Sequence, residues 1–157
     1  MPTLNEAAES FLNLKTIAVT GVSSTKKNPA NYILAKLRQS GKEVYAINPK
    51  VNEIDGQVCY SHLSTVPVKI DGVVIGTHPS VTLDTVKSCA ELGIKHVWIH
   101  KSVDNGSYNA EAEQFCRDNG INIIPAGCPL MHCQPVDFPH KCLKWVLGIT
   151  RVLPQNV

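Results

Sequence analysis

Short apolar runs alternate with helical segments along the chain, and this alternation most narrows the possible folds. Runs rich in β-branched residues predict buried strands, whereas the segments between them carry apolar residues at helical spacing. The predicted strands are Ile17–Val19, Glu43–Ile47, Asp71–Gly76, Lys95–His100 and Ile121–Ile124. Successive parallel strands need a long crossover, so this order predicts an α/β fold with a doubly wound sheet of about five parallel strands and helices on both faces.

Capping residues and glycines mark where the predicted helices begin and end. A first helix is expected within residues 1–14, with Thr3 or Asn5 as its cap. Further helices are predicted from Pro29 to Ser40, Ser80 to Leu92, Ser107 to Asn119 and Phe138 to Ile149. A turn at Asp55-Gly56 precedes a short predicted strand, Gln57–Tyr60. The length of 157 residues fits one domain, residues 1–157, of which residues 137–157 form the last helix and a tail.

The composition disfavours several classes of protein. The 15 basic residues nearly balance the 13 acidic residues, for a formal net charge of +2, which argues against a general nucleic-acid binder. The N-terminus lacks a signal-peptide pattern and no apolar run approaches the ~18 residues of a membrane span, so we expect a cytoplasmic protein without a membrane partner. The six cysteines lack the spacing of secreted scaffolds, which predicts reduced thiols.

The residues after the first strand are suited to binding an anion. The strand breaks at Gly21 into the polar stretch Ser23–Asn28, just before a helical pattern begins. Backbone N–H groups at a helix N-terminus meet a phosphate together with the positive end of the helix dipole. The stretch also supplies the hydroxyl groups of Ser23 and Ser24 and the positive charge of Lys26. This arrangement predicts the phosphate-binding loop of a Rossmann-like nucleotide-binding fold.

The end of the second predicted strand indicates which nucleotide is bound. Domains that prefer NAD place Asp or Glu about 20 residues after the glycine loop, where the carboxylate accepts hydrogen bonds from the ribose hydroxyls. This chain has Asn48, Pro49 and Lys50 at that place. A lysine favours an additional phosphate on the ribose, which CoA carries on its 3′ oxygen and NADP on its 2′ oxygen.

Five segments in a fixed order carry a resemblance to a known family. They are Ala18–Ser24, Val44–Lys50, Asp71–Ile75, Glu91–Ile99 and Ile124–Pro129. In this order the segments resemble the CoA-binding protein family, the single-domain relatives of the N-terminal domain of succinyl-CoA synthetase α subunits. The resemblance covers about residues 12–148, which is nearly the whole chain.

The resemblance implies a CoA site at the carboxyl ends of the strands. Matched position by position, it assigns the diphosphate to Gly21, Ser23, Ser24 and Lys26, with Val22 as a further cofactor-binding residue, and the adenosine with its 3′-phosphate to Asn48, Pro49 and Lys50. It places the adenine and pantetheine path along Thr77, His78, Pro79, Ile99 and His100, and the CoA thiol near Cys128. The asparagine of the family's Asn-Cys-Pro element is Gly127 in this chain.

The resemblance also implies a role without chemistry of its own. The synthetase's second domain, which carries its phosphorylated histidine, has no counterpart in these segments, so CoA ligation by this chain alone is not expected. We therefore expect a protein that binds CoA or an acyl-CoA, with no catalytic residue assigned. Such a protein would act as a carrier, as a sensor, as a homodimer or as a subunit of a catalytic partner.

Two other functions are open on the sequence. An NADP-dependent oxidoreductase fits Lys50, although the loop lacks the second and third glycines of a dinucleotide-binding fingerprint. A thiol or metal protein fits a group of soft zinc ligands near the C-terminus, which are Cys128, His132, Cys133, His140 and Cys142. Their spacing matches no paired zinc motif, so no metal ligand is assigned. Cys128, between a strand end and a helix start, is also expected to carry a stabilised thiolate that could meet the CoA thiol.

Overall fold

The alternating pattern folds into one mixed sheet. The computed structural model describes residues 1–150 and 153–157. Within these residues the sheet has seven strands. They are β1 (Thr16–Thr20), β2 (Glu43–Ile47), β3 (Glu53–Ile54), β4 (Gln57–Tyr60), β5 (Gly72–Ile75), β6 (His96–Ile99) and β7 (Asn122–Ile124). The order across the sheet is β3-β4-β2-β1-β5-β6-β7, and every neighbouring pair is parallel except the β3–β4 hairpin.

Each helix begins where the sequence supplies a cap or a proline. The α-helices of the described residues are α1 (Leu4–Leu12), α2 (Pro29–Gln39), α3 (Pro79–Glu91), α4 (Ala110–Asp118) and α5 (Phe138–Ile149). Thr3 and Glu6 form a capping box at the start of α1. Proline occupies the first turn of α2, α3 and α5, where the helix needs no N–H donor. None of these helices is both long and apolar enough to cross a bilayer.

The helices cover both faces of the sheet, as the doubly wound prediction requires. On one face α1, α2 and α5 bury a core that includes Phe11, Ile33 and Trp98, and the rings of Phe11 and Trp98 meet edge to face with centroids 5.5 Å apart. On the other face α3 and α4 bury side chains such as Val86 and Cys116. Burying each large apolar side chain stabilises the fold by about 1.5–3 kcal/mol. Because both faces are covered, the ends of the strands are where a ligand can reach the sheet.

The α/β prediction is confirmed, and the differences are local. Gln57–Tyr60 forms the expected short strand, which is a sixth parallel strand in addition to the predicted five. The bounds of α5 agree with the prediction, but α4 begins at Ala110 rather than at Ser107. Ser107 lies in a turn that the Tyr108 N–H closes on the Asn105 carbonyl at 2.9 Å, and its own N–H donates to the His100 carbonyl at 2.8 Å. The helix therefore starts only after Asn109, whose side chain caps it.

Candidate functional site

The strand order reverses between β1 and β5. The chain passes from β1 to β2 and β4 on one side and then crosses to β5 on the other side of β1. Open α/β sheets bind ligands beyond the carboxyl ends of the strands at such a point. Gly21 follows β1 and Gly76 follows β5, and their backbones approach so closely that a Cβ atom on Gly21 would collide with the Gly76 carbonyl. Gly21 also has a φ of +85°, so both its neighbour and its backbone conformation require glycine.

A cavity of about 700 Å³ opens beside this reversal point. Its walls are the ends of β1 and β2, the turn Asn48–Val51, the segment Ser61–Ser64 and one side of α3. The volume lies within the ~300–1,000 Å³ of ordinary small-molecule sites. The cavity therefore has both the size and the position that the fold predicts for a ligand site.

The loop between β1 and α2, residues Gly21–Asn28, is held by its own hydrogen bonds. The Asn31 side chain accepts from the Ser23 N–H at 3.0 Å and donates to the Ser23 carbonyl at 2.8 Å. The Ser23 hydroxyl accepts from the N–H groups of Thr25 and Lys26, both at 3.3 Å. Two amides before α2 thus converge on a single oxygen atom, which is the arrangement that backbone N–H groups also use to hold an anion.

Asn48 connects this loop to the turn after β2. Its Nδ2 group donates to the Val22 carbonyl at 2.7 Å, and its Oδ1 atom accepts from the Lys50 N–H at 2.8 Å. Its backbone N–H donates to the Tyr60 carbonyl at 2.9 Å. Val22 is only 1% exposed, so the loop is anchored in the core at this residue. Lys50, in contrast, is exposed and lines the cavity.

Charged and polar groups are distributed unevenly around the cavity. Lys50 supplies an ammonium group from the turn after β2, whereas α3 supplies the carboxylates of Asp84 and Glu91. The Thr77 hydroxyl, also at the cavity, is buried and has no hydrogen-bond partner among the described residues. An unsatisfied buried hydroxyl costs about 1–3 kcal/mol, which makes the Thr77 side chain a candidate contact for a ligand.

Some of the predicted site residues line the cavity and others do not. Those that line it are Gly21, Asn48, Pro49, Lys50 and Thr77. Those that lie at or after the carboxyl ends of their strands without lining it are Val22, Ser23, Ser24, Lys26, His78, Pro79, Ile99, His100 and Cys128. Contact between any of these residues and a ligand stays a prediction.

The two histidines among these residues differ in their surroundings. His78 caps α3, since its Nδ1 atom accepts from the Ser80 N–H at 3.2 Å and lies 2.8 Å from the Ser80 hydroxyl. His100 is only 8% exposed, and burial lowers its pKa against a smaller opposing effect of Asp104. The first histidine therefore stabilises a helix start, and the second is neutral at physiological pH.

Cys128 corrects one expectation. The side chain is 3% exposed, and burial raises the pKa of the Cys128 thiol to about 11. The predicted stabilised thiolate is therefore wrong, because burial disfavours the charged form more than the nearby backbone N–H of Leu130 favours it. At neutral pH this side chain is a buried thiol.

The C-terminal cysteines and histidines do not converge on a metal site in the part of the chain that the structure describes. Within residues 1–150 and 153–157, no three side chains of His, Cys, Asp or Glu lie close enough to hold a metal ion. All six cysteines are free thiols. The geometry of these residues gives no support to the metal alternative.

Two walls of the cavity are missing from the sequence-based prediction. The segment Ser61–Ser64 enters a 3₁₀ turn at Leu63–Thr65, and no residue pattern distinguishes it from an ordinary loop. The α3 wall includes Val81, Asp84 and Ser88, at spacings of three and four residues. Such spacing places side chains on one helix face, and this face is not the buried one. The mixture of polar and apolar residues on this face of α3 is the sequence signal that could have identified it as a wall of the cavity.

The chain matches known proteins over most of its length. The family model described as a CoA binding domain matches residues 15–134. The ADP-forming acetate–CoA ligase II of Archaeoglobus fulgidus is 29% identical over 118 residues, which are 70% of this chain and 18% of that enzyme. The α subunit of the ADP-forming acetate–CoA ligase II of Pyrococcus furiosus is 29% identical over 125 residues, which are 75% of this chain and 27% of that subunit. The chain thus spans between about a fifth and a quarter of these curated relatives.

Solved structures agree with this relationship. A hypothetical protein from Pyrococcus horikoshii matches with a TM-score of 0.76 at 28% identity, over 84% of this chain and 91% of that one. The dinucleotide-forming acetyl-coenzyme A synthetase 1 of Ca. Korarchaeum cryptofilum, in complex with phosphate and ADP, matches with a TM-score of 0.62 at 29% identity, over 76% of this chain and 27% of that one. From the family match across residues 15–134 we conclude that the chain belongs to the CoA-binding domain family.

Proposed function

We propose that the protein binds CoA or an acyl-CoA at the carboxyl edge of its sheet and catalyses no reaction of its own. The observation that carries the proposal is that Gly21, from the predicted phosphate loop, and Lys50, the predicted partner of a ribose phosphate, line one cavity. Membership of the CoA-binding domain family supports the choice of ligand.

The geometry favours a separate position for each part of the ligand. The diphosphate would lie against the loop Gly21–Asn28, where its oxygen atoms replace the Ser23 hydroxyl as acceptor for the amides of Thr25 and Lys26. A phosphate oxygen is charged and is therefore the stronger acceptor. The 3′-phosphate would meet the Lys50 ammonium, and the adenosine would occupy the cavity between the turn Asn48–Val51 and α3.

The greater length of the relatives supports the role of a carrier, sensor or subunit, for which we also propose a cytoplasmic location. The relatives named as ligases are about four to six times the length that matches here, and one of them is named as an α subunit. Their ligase activity belongs to those larger proteins. We propose that any CoA chemistry involving this chain is supplied by a partner, which is either a catalytic protein or a larger assembly that includes a second copy of the chain.

Native mass spectrometry of freshly purified protein, followed by calorimetric titration with CoA and with NADPH, tests the proposal. We expect a CoA-sized adduct or tight binding of added CoA, and much weaker binding of NADPH because the loop lacks the glycines that bring backbone close to a dinucleotide. Tighter binding of NADPH than of CoA would replace the proposal by the oxidoreductase alternative. Binding of neither ligand would refute both functions.

A further inference from the structure

Asn48 has an unusual position for a residue predicted to contact the ligand, because its side chain is used within the protein. One end of its amide donates to the Val22 carbonyl at 2.7 Å, and the other end accepts from the Lys50 N–H at 2.8 Å. These two partners also fix the orientation of the amide, since a carbonyl needs a donor and an N–H group needs an acceptor. Both are among the shorter hydrogen bonds of the site.

The two partners belong to the two halves of the proposed CoA site. Val22 lies in the loop after β1, where the diphosphate is proposed to bind. Lys50 lies in the turn after β2, where the 3′-phosphate is proposed to bind. The Val51 N–H donates to the Asn48 carbonyl at 3.4 Å, which closes a turn with Pro49 and Lys50 at its centre. Asn48 occupies the first position of this turn, where its side chain favours the bend.

We infer that Asn48 is a positioning residue that sets the distance between the phosphate loop and the Lys50 ammonium. The inference rests on the proposed function and changes the role of one residue within it. Recognition of the 3′-phosphate depends on Asn48 because Asn48 holds Lys50 in place, and no contact between Asn48 and the ligand is needed. A turn that is free to move would let the lysine swing into solvent, where an exposed ammonium is well hydrated.

Two substitutions separate the two hydrogen bonds of Asn48. Asn48→Ala removes both bonds. Asn48→Ser keeps an acceptor that can bind the N–H of the residue two positions on, but its side chain is too short to reach the Val22 carbonyl. The readout is the ratio of the dissociation constants for dephospho-CoA and CoA, which reports recognition of the 3′-phosphate alone. Lys50→Met removes the ammonium, and Lys87→Met is the matched control because Lys87 is exposed on α3 and does not line the cavity.

We expect Asn48→Ala to lower the ratio about fivefold. Lys50→Met is expected to lower it by about tenfold or more, whereas Lys87→Met leaves it unchanged. Asn48→Ser keeps the bond to the Lys50 N–H but loses the link to the loop, so it should raise both dissociation constants and lower the ratio by less than Asn48→Ala does. In the double variant Asn48→Ala/Lys50→Met, the ratio should equal that of Lys50→Met alone, because Asn48 then has no ammonium to position.

Each alternative outcome is decisive. Losses that multiply in the double variant would show a direct contact between Asn48 and the ligand and would overturn the inference, as would an unchanged ratio in Asn48→Ala. If Asn48→Ala does not fold, Asn48→Ser carries the test, and unchanged dissociation constants for both ligands would overturn the link to the loop. Absence of CoA binding to the unsubstituted protein would instead refute the proposed function, and the inference would fall with it.

Discussion

At the scale of single residues, the close approach of Gly21 and Gly76 shapes the site. Gly21 has a positive φ, and the Gly76 carbonyl lies where a side chain on Gly21 would be. Gly41 has a similar φ of +83° but open space around it. A comparison of the two glycines therefore separates backbone strain from steric collision. The close approach of Gly21 and Gly76 matters for the proposed site because it fixes where the ends of β1 and β5 meet.

Gly41→Ala is expected to lower the free energy of unfolding by about 1–2 kcal/mol, since alanine is strained at a positive φ. Gly21→Ala is expected to cost about 3 kcal/mol or more, because the backbone after β1 or β5 must also shift. Chemical denaturation with urea measures both values. Equal losses in the two variants would show that the contact with the Gly76 carbonyl carries no energetic weight.

Lys50 gives the second prediction at this scale. Lys50→Glu should weaken the binding of CoA by about a hundredfold, because it removes a charge-assisted contact and adds repulsion. The binding of dephospho-CoA should weaken much less, since that ligand lacks the 3′-phosphate. Lys87→Glu makes the same change of charge away from the cavity and serves as the control in calorimetric titrations. An equal loss for the two ligands would contradict the role assigned to Lys50.

Site residues that carry a local sequence signal can be predicted, whereas those that depend on a contact between distant residues cannot. Gly21 and Lys50 are found because each follows a predicted strand and has a chemical type that suits a phosphate. The hydrogen bond from Asn48 to Val22 joins residues 26 positions apart, and no local pattern predicts it. The wall at Ser61–Ser64 is not predicted for the same reason, since its contribution to the cavity depends on how β4 places it beside α3.

At the scale of elements, α5 shows how the C-terminal segment is held on the sheet. His132 lies before α5 with its ring against Trp98, at a centroid distance of 5.7 Å, and its Nδ1 atom is 3.3 Å from the Lys144 ammonium on α5. Burial, together with this ammonium, lowers the pKa of His132 from 6.5 to about 4. The histidine is therefore neutral in the folded protein at physiological pH and accepts a hydrogen bond from Lys144.

This pKa predicts the pH dependence of stability. Between pH 6.5 and about 4, the unfolded chain binds a proton at His132 that the folded protein does not bind, so unfolding becomes more favourable as the pH falls. After allowance for partial exposure, we expect a loss of about 1–2 kcal/mol over this range. His132→Gln removes the titration, and the difference between the two proteins in denaturation experiments isolates it. Parallel pH profiles would contradict the low pKa.

Elements were easier to predict from the sequence than the contacts between them. The bounds of α5 agree with a prediction made from its apolar residues, such as Trp145 and Val146, and in the structure Asp137 caps the start of the helix. The start of α4 was placed too early because Ser107 bonds to the His100 carbonyl, a contact that only the folded loop creates. In the β3–β4 hairpin, the turn and β4 were predicted, but β3 has only two residues and is too short for a periodic pattern to reveal it.

At the scale of the whole molecule, the position of the proposed site depends on where the sheet order reverses. Both faces are covered by helices, so the carboxyl edge beside β1 and β5 offers the cavity, which is lined by Lys50 and also by the carboxylates of Asp84 and Glu91. Lys26 and Lys50 follow β1 and β2 at this edge, while the net charge of the chain is only +2. We therefore base the proposed binding of an anionic cofactor on the local placement of these two lysines rather than on overall charge.

A crystal structure of the protein grown with CoA tests this account most directly. We predict density for the diphosphate against the loop Gly21–Asn28, and for the 3′-phosphate about 3 Å from the Lys50 Nζ atom. The Asn48 side chain should still bond to Val22 and to the Lys50 N–H, with no contact to the ligand. CoA bound elsewhere, or bound at this edge with its 3′-phosphate away from Lys50, would contradict the account.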